Sequence, residues 1–538
     1  MIRSDRHSQA VASFEPLESR QLLAGNFVFE SYHPEGFASD TINEFVPVTN
    51  PNNEVVRVKL TARYEFSLPE DNLPDGSPLL ETVIGEFDVP ANTRTGFTTS
   101  DASNPTPGRF NAAGVREGIP YALVIESTLP VSATLAHYDF GTAVGEAFTS
   151  RLASEWTFAD AFKDTATTSD FLLFFNPSAV TILVTTTIFA QPAAGETAPT
   201  VITLTQELLA RRRGGYDLNN LRNPNGSVLT IPDGSFGLRT QAANASNPTS
   251  SIGFVAAQSH YLRSQDRGYG TLGSEGGGAT DGFVGSVGFD SNFYNTNGQG
   301  PGNPTQFQAD TFISVLNTES VGAIVTFQYV PENRDFNPIV FTRAVAAGSQ
   351  ARFSLRDLRA TVVDIPDAAL EGALLYTSNV EVTVAVAVYQ GMDATGVAAE
   401  SRTSDTWDFG EGFTAKDRRG TGVQEDLYIY NPTAGNANVT VTFFFLDGTT
   451  ASIARTIGAG LVENVVVHDL PEVFNKTIAS DPNAQIVYYG IRVSTGTGGT
   501  KILAEMEHWD AAVGGGFTSF GQPRGVTTPL DINGGIQG

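Results

Sequence analysis

Two sequence markers recur four times along the chain, in the same order and at similar spacing. The first is an Asn at the end of a β-rich stretch: Asn50, Asn176, Asn317 and Asn431. The second is an alternating segment closed by an aromatic residue: Tyr138, Tyr261, Tyr389 and Trp509. From the Asn to the aromatic residue the distances are 88, 85, 72 and 78 residues. Because 538 residues are too many for one hydrophobic core, these recurrences predict four copies of a domain-sized module, which we number copy 1 to copy 4.

The clearest copy, residues 407–510, shows what the module contains. A strand at 426–430 stops at Asn431-Pro432, and Pro cannot donate a hydrogen bond to a strand ladder. A second strand at 438–446 turns at Asp447-Gly448, and Asp-Gly between alternating apolar runs is a strong hairpin signal. A closing strand at 501–510 completes the module. We therefore predict strands joined by tight turns.

Apolar and polar residues alternate along these segments, as half-buried strands require. At 56–64 the Val, Leu, Ala and Tyr residues share one face, and Arg, Lys and Thr share the other. At 382–388 both faces are small or apolar, which predicts a strand covered on both sides. Only residues 202–213 could form a helix. The pattern predicts an all-β fold of four tandem β-sandwich (immunoglobulin-like) domains after a short N-terminal segment.

Glycine-rich stretches separate the copies. Those at 141–145, 268–278 and 391–404 hold the small residues typical of linkers. The predicted domains are an N-terminal segment at 1–25, β-sandwiches at 26–145, 150–270, 281–395 and 404–515, and a flexible C-terminal tail at 516–538.

Charge and cysteine content narrow the classes of function. The chain has 58 Asp and Glu against 32 Lys and Arg, a net charge of −26. Nucleic acids and anionic membrane surfaces attract the opposite sign, so neither is an expected partner. Cysteine is absent, which removes disulfides, thiolate metal sites and cysteine nucleophiles. No apolar run reaches the ~18 residues that span a bilayer.

The segment that opens each copy carries a resemblance. The sequences at 32–37, 156–162 and 407–413 share an aromatic start, an acidic residue and a closing Phe, and copy 3 opens less clearly near residue 285. This pattern resembles a β-sandwich repeat of large bacterial surface proteins, in which an aromatic-x-Phe-x-Glu-Gly opening precedes a strand ending in Asn-Pro. In copy 4 the matching residues are Trp407, Phe409, Glu411, Gly412, Asn431 and Pro432. The resemblance implies an extracellular module without assigned chemistry.

A second resemblance concerns the N-terminus, which lacks the 7–15-residue apolar segment of a secretory signal. Residues 14–24 are similar to the Leu-Glu-Pro-Arg-x-Leu-Leu segment of exported and surface proteins of planctomycete bacteria. Ser19 replaces the Pro of that segment, and the residues that match are Leu17, Glu18, Arg20, Leu22 and Leu23. This resemblance implies an extracellular or cell-surface location. The alternative is a short amphipathic helix that caps copy 1.

Three histidines hold the same repeat position and were weighed as a duplicated ligand or base. His137, His260 and His508 each precede the closing aromatic residue, but copy 3 has Val388 there. An imidazole that Val can replace is better interpreted as a packed, hydrogen-bonded group at a core edge. We therefore assign no catalytic, cofactor-binding or metal-binding residues.

Other candidate groups are given structural interpretations. Glu505 and Glu507 share a strand face that we predict to be solvent-facing. Acidic loops at 70–76 and 275–281 could hold Ca²⁺, although neither has the EF-hand spacing, so no cofactor is assigned beyond that possibility. The three Trp residues at 156, 407 and 509 are interpreted as core or interdomain packing.

These observations favour a non-catalytic extracellular or cell-surface protein with a structural or adhesive role. Its expected partners are cell-surface or matrix components such as polysaccharide, and self-association is an alternative. One alternative is a carbohydrate-binding protein with exposed aromatic rows at 171–175 or 428–430. Another is a secreted hydrolase with its site in copy 2 or 3, where loops such as 218–247 are longest. A pocket holding two carboxylates of raised pKa would favour the hydrolase.

Overall fold

The computed structural model describes residues 26–103, 110–190, 199–222, 226–264, 266–288, 310–361, 365, 371–390, 393–415, 423–476, 485–510 and 515–532. Their regular structure is almost entirely β-strand, arranged as sheet packed on sheet. The predicted all-β fold of tandem β-sandwiches is confirmed. The N-terminal segment at 1–25, with its resemblance to exported proteins, lies outside the described residues.

Copy 1 defines the topology of the module. Its strands are β1 (Phe29–His33), β2 (Asn43–Asn50), β3 (Val56–Tyr64), β4 (Glu81–Val89), β5 (Thr93–Ser100), β6 (Tyr121–Ser127), β7 (Ser132–Asp139) and β8 (Thr142–Ala147), with a 3-10 turn at Pro69–Asp71. The order β1-β6-β3-β4 forms what we term the first sheet, and β5-β2-β7-β8 forms the second sheet. All pairs within these two sheets are antiparallel.

The other copies repeat this plan. Copy 2 contains β9 (Glu155–Lys163), β10 (Thr168–Phe175), β11 (Ile182–Ala190), β12 (Thr200–Leu208), β13 (Arg213–Asp217), β14 (Gly234–Asn244), β15 (Asn247–Ser251), β16 (Val255–Leu262), β17 (Arg267–Leu272) and β18 (Ser274–Glu275). Copy 3 contains β19 (Ala279–Gly288), β20 (Asp310–Asn317), β21 (Ala323–Pro331), β22 (Ile339–Val345), β23 (Ser349–Ser354), α1 (Leu355–Thr361), β24 (Glu371–Gln390), β25 (Asp393–Ala398) and β26 (Arg402–Thr403).

Copy 4 contains β27 (Thr406–Phe409), β28 (Phe413–Ala415), β29 (Val423–Tyr430), β30 (Ala437–Phe445), β31 (Thr450–Ile457), β32 (Val462–Val466), a 3-10 turn at Val467–Asp469, α2 (Pro471–Phe474), β33 (Ile486–Ser494), β34 (Leu503–Asp510), β35 (Gly515–Phe520), β36 (Gln522–Pro523) and β37 (Thr528–Pro529). Its sheets run β27-β33-β30-β31 and β32-β29-β34-β35, the order of copy 1. In copy 3 the long strand β24 takes part in both sheets. The strand order differs from the ABED and CFG sheets of immunoglobulin domains.

The four sandwiches form a closed ring. The first sheet of each copy packs against the second sheet of the next, as β1 does on β16, β9 on β20 and β19 on β34. Strand β27 of copy 4 packs in the same way on β7 of copy 1. Such head-to-tail interfaces either continue as a filament or close into a ring. Here the fourth interface closes the ring within one chain.

The strands that follow the closing aromatic residues meet at the centre of the ring, and we term these strands, β8, β17, β25 and β35, the junction strands. Strands β8 and β25 both lie against β17 and β35, and β17 and β35 also contact each other. The close approach depends on glycine. A Cβ placed on Gly145 would lie 2.7 Å from the Phe517 ring, and one on Gly396 would lie 2.2 Å from the Tyr269 ring.

Three predictions from the sequence are wrong in this region. The glycine stretches predicted as linkers form the junction strands, because a residue without Cβ permits close packing as well as flexibility. The predicted flexible tail from residue 516 contains most of β35, and its Phe517 and Leu530 are buried. The possible helix at 202–213 is occupied by β12 and the start of β13.

The recurrent Asn residues hold each sandwich together. All four are fully buried, and in each the Nδ2 atom lies within 3.2 Å of three backbone carbonyl oxygens. For Asn431 these carbonyls belong to Gly435, Ile457 and Gly458, so one side chain joins the turn after β29 to the end of β31. The marker thus satisfies buried backbone acceptors that would otherwise be unpaired.

The acidic residue of the opening segment bonds to the neighbouring copy. Glu35 of copy 1 accepts a hydrogen bond from Ser259 of copy 2 at 2.6 Å. Asp160 of copy 2 accepts from Ser314 of copy 3 at 2.5 Å and pairs with Arg352 at 3.0 Å. Although burial raises the pKa of Asp160, the charge of Arg352 leaves that pKa below its ordinary value. These acids therefore tie one sandwich to the next.

Candidate functional site

A cavity of about 500 Å³ lies where the four copies meet, and we term it the junction pocket. Its walls include the carboxyl ends of the four junction strands and the residues that follow them. Phe148, Tyr376 and Phe520 contribute apolar surface, and several Arg and Glu side chains contribute charge. The volume falls in the range of small-molecule sites, roughly 300–1,000 Å³.

Three arginines reach this pocket from equivalent positions. Each junction strand pairs with the strand that carries the recurrent His, or the Val of copy 3. In copies 1, 3 and 4 the junction-strand residues opposite that position are Val144, Thr395 and Phe517. Seven positions later in each copy stand the pocket residues Arg151, Arg402 and Arg524. The corresponding residue of copy 2, counted from Tyr269, is Gly276, and Glu275 beside it lines the pocket.

Two of these arginines share the same pair of carboxylates. Glu275 lies 3.2 Å from Arg151 and 2.9 Å from Arg402. Glu400 lies 3.4 Å from Arg151 and 3.0 Å from Arg402. The network joins copies 1, 2 and 3. The side chains of Arg151 and Arg402 are 29% and 24% exposed, and both line the pocket.

Arg524 is anchored separately. Its Nε donates to Asp408 at 2.6 Å, and Arg492 donates to the other oxygen of that carboxylate at 2.7 Å. The Asp408 side chain is fully buried, whereas that of Arg524 is 21% exposed. Asp408 therefore fixes the base of Arg524 and leaves part of its guanidinium towards solvent.

Two buried acids line the same pocket. Burial raises the pKa of Glu146 to about 8, although Ala147 and Leu272 donate backbone N–H groups to it at 2.9 and 3.0 Å. Burial likewise raises the pKa of Glu400 to about 7. Both carboxyls thus bind protons near neutral pH, so the accessible charge of the pocket comes mainly from arginine and Glu275.

The recurrent histidines lie at core edges, each paired with an acid directly across the sheet. The Nδ1 atom of His137 lies 2.9 Å from Glu44, and that of His260 lies 2.7 Å from Asp170. Burial lowers the pKa of His137, but the hydrogen bond to Glu44 and the charge of Glu35 outweigh it and raise the pKa to about 9. The Nδ1 atom of His508 lies 3.2 Å from Glu425. These histidines are separated among the copies and form no shared site.

The predicted exposure of Glu505 and Glu507 is wrong, because copy 3 covers that face of β34. Both side chains are buried, and Glu505 accepts N–H groups of Gly285 and Ser286, each at 2.8 Å. Burial raises the pKa of Glu505 to about 8 and that of Glu507 to about 7. Asp426 is buried nearby, and its pKa is also raised, first by burial and then by the charge of Glu507. An acid-rich interface therefore joins copies 3 and 4.

The aromatic candidates are buried as well. Trp156 and Trp407 donate their indole N–H to backbone carbonyls at 2.9 and 2.8 Å, and Trp509 is 1% exposed. Residues Phe174 and Tyr428, from the two rows proposed as sugar platforms, are 0% and 5% exposed. Neither row forms an open aromatic face.

The acidic loops are engaged by protein groups. Asp71 lies 2.6 Å from Arg116, and Glu275 pairs with two arginines of the junction pocket. Among the residues that the structure describes, no group of three or more His, Asp or Glu is arranged to hold a metal ion. Within the same residues, no helix has the length and apolar character needed to cross a membrane.

Sequence reasoning missed the junction arginines. Their signal is a constant offset from the closing aromatic residue in copies 1 and 3, 13 positions from Tyr138 to Arg151 and from Tyr389 to Arg402. In copy 4 the offset grows to 15, from Trp509 to Arg524. The three residues become one group only when the ring closes.

Comparisons with known proteins identify no family. No protein-family model matches the chain, and no curated protein matches it. Among solved structures the chain is similar to "Crystal Structure of Thermotoga maritima 1070", with 15% sequence identity and a TM-score of 0.17. The match covers 24% of this chain and 97% of that chain. A likeness of this degree supports no statement about function.

Proposed function

We propose that the protein is a non-catalytic component of the cell surface or extracellular matrix, with a structural or adhesive role. The observation that carries the proposal is the closed ring of four sandwiches. The recurrent residues, from the buried Asn to the acid of the opening segment, bond within a copy or between copies. The recurrent residues therefore stabilise a single closed ring. The outer surface of this ring would contact the cell-surface or matrix partners.

The proposed location is supported by the two resemblances, one to bacterial surface β-sandwich repeats and one to the N-terminal segment of exported planctomycete proteins. Fractionation of the native organism with a specific antibody tests it. We expect the protein in the envelope or medium fraction. Recovery in the cytoplasmic fraction alone would remove the proposal.

The closed ring also distinguishes this role from that of an extended spacer. A compact body of 538 residues has a radius of gyration of about 24 Å. Small-angle X-ray scattering should give a value near this, whereas sandwiches strung in a row would give a much larger one. The alternative of carbohydrate binding on exposed aromatic rows loses its support, because Phe174 and Phe175 of one row and Tyr428 and Tyr430 of the other are buried.

A hydrolase is the second candidate, because Glu146 and Glu400 have raised pKa values and line one pocket. A general acid must face its substrate. However, Glu146 accepts two backbone N–H groups, and Glu400 accepts from Ser401 and two arginines. These bonds favour the structural role. Hydrolysis of a panel of polysaccharides, abolished by both Glu146→Gln and Glu400→Gln, would establish the enzyme instead.

A further inference from the structure

The junction pocket brings together three arginines in a protein that is strongly acidic. Its partly exposed arginines are Arg151, Arg402 and Arg524, each supplied by a different copy from the same repeat position. Over the whole chain, acidic residues outnumber basic ones 58 to 32. We propose that the junction pocket binds a small organic anion, a carboxylate or a phosphate ester, through these three guanidinium groups.

The geometry of arginine suits such a ligand. A guanidinium presents a planar fork of donors that matches carboxylate and phosphate oxygens, and these charge-assisted bonds are stronger than neutral ones. The Nε atom of Arg524 donates to Asp408, and among the described residues its Nη2 atom has no hydrogen-bond partner, which leaves a donor of this pocket-lining residue for a ligand. Asp408 and Glu400 are buried and pair with the arginines, which orients them.

The pocket has few accessible negative groups to oppose an anion. Glu275 is 33% exposed, and Glu30 at the margin is bonded to Tyr32 and pairs with Arg211 at 3.6 Å. Glu146 is buried, and its raised pKa removes much of its charge at neutral pH. The three arginines are therefore opposed at the pocket wall chiefly by Glu275 and Glu400, both of which pair with Arg151 and Arg402.

Glu275 makes the pocket asymmetric, because copy 2 supplies this acid where each of the other copies supplies an arginine. It stands in copy 2 next to Gly276, the residue that replaces the arginine of the other copies. Glu275 accepts from both Arg151 and Arg402, so a bound anion competes with it for the same donors. Removal of the Glu275 charge should therefore strengthen anion binding, and removal of Arg151 should weaken it.

Calorimetric titration of the full chain with D-glucuronate, D-glucose 6-phosphate and D-glucose tests the proposal, because the three probes share a sugar ring and differ in charge. We expect both anions to bind, and D-glucose to bind at least about tenfold more weakly. The tighter of the two anions distinguishes a carboxylate site from a phosphate site. Equal binding of D-glucose, or no binding of either anion, would overturn the proposal.

Two variants of opposite sign complete the test. Arg151→Gln should weaken anion binding about tenfold, and it leaves Glu275 and Glu400 paired with Arg402, which preserves the fold. Glu275→Gln should tighten anion binding. Arg334→Gln, at an exposed arginine paired with Glu463, is the matched control and should leave affinity unchanged. If Arg151→Gln fails to fold, Glu275→Gln decides: unchanged or weaker binding contradicts the proposal.

Discussion

Gly515 in the last sandwich pairs in parallel with Ala143 in the first, so one eight-stranded sheet joins the two ends of the chain. This pairing belongs to the interface between copies 4 and 1, which closes the ring. The other three interfaces link copies that are consecutive in the chain. Each head-to-tail interface leaves a complementary face at either end of an open array. Closure buries both faces within one molecule, which removes the surfaces through which an open array would extend into fibres.

Gly145→Ala should open the junction between copies 1 and 4. The added Cβ would lie 2.7 Å from the Phe517 ring, and overpacking of this kind costs about 1–3 kcal/mol. Urea unfolding measures the loss. Gly435→Ala is the control, because a Cβ there meets no heavy atom within 4 Å, and we expect a change below about 0.5 kcal/mol. Equal stability of the two variants would show that the junction tolerates the methyl group.

Asn431→Ala should destabilise copy 4 by about 2–4 kcal/mol, because it leaves three carbonyl groups without their donor. Thermal or urea unfolding measures this loss. Asn438→Ala is a suitable control, since Asn438 is exposed and bonds only through its Oδ1 to the Thr456 hydroxyl in the described contacts. A loss as small as that of the control would contradict the role given to the recurrent Asn.

The acid-rich interface of copies 3 and 4 should make the protein more stable at pH 5 than at pH 8. Burial raises the pKa of Glu505 from 4.5 to about 8 and that of Glu507 to about 7, so the folded state binds more protons than the unfolded chain between these values. The contribution of these two carboxyls to the free energy of unfolding is therefore fully present below about pH 4.5. It is lost as the pH rises through 7 to 8, and the loss is on the order of 1–3 kcal/mol.

Unfolding experiments across pH 5–8 measure this slope. Glu507→Gln should flatten it, because the amide has no proton to lose. The pKa of His137 is raised to about 9, so His137 also lowers stability as the pH rises towards 8. The slope of stability against pH in Glu507→Gln should therefore shrink without vanishing. Glu86→Gln, on the exposed face of copy 1, should leave the slope unchanged. Stability that rises with pH over this range would contradict the assignment.

Local pattern was enough to predict the sandwich but not the ring. Alternation and the recurrent Asn depend on neighbours within one copy, so the fold class and the four copies could be predicted from sequence. The burial of Glu505 depends on another copy, because strand parity places it on an outer face that only copy 3 covers. Gly145 illustrates the same limit: glycine is typical both of linkers and of close strand contacts, and only the partner Phe517 distinguishes them.

The junction pocket was beyond prediction for the same reason. Arg151 and Arg402 lie at a constant offset, yet an arginine near a strand end is ordinarily a solvated residue. Their shared acids Glu275 and Glu400 are distant in sequence from Arg151. The group exists because four strand ends converge, which is a property of the closed assembly.

The buried pair of His508 and Glu425 can be compared with its natural replacement in copy 3. His508 lies 3.2 Å from Glu425 across the sheet, and Glu425 also accepts the Phe413 N–H at 3.1 Å. In copy 3 the same positions hold Val388 and Thr311. The Thr311 hydroxyl accepts the Gly288 N–H at 2.9 Å, so Thr preserves the bond to the opening segment without a buried charge.

His508→Val alone should therefore cost more than the double variant Glu425→Thr with His508→Val. The single change leaves the buried Glu425 side chain without its hydrogen bond to His508, a loss of about 1–3 kcal/mol, whereas the double change removes both buried side chains and keeps a hydroxyl acceptor for the Phe413 N–H. Urea unfolding of the wild type, both single variants and the double variant gives the coupling energy of the pair. Additive losses would mean that His508 and Glu425 stabilise copy 4 independently, and that the Val and Thr of copy 3 are unrelated substitutions.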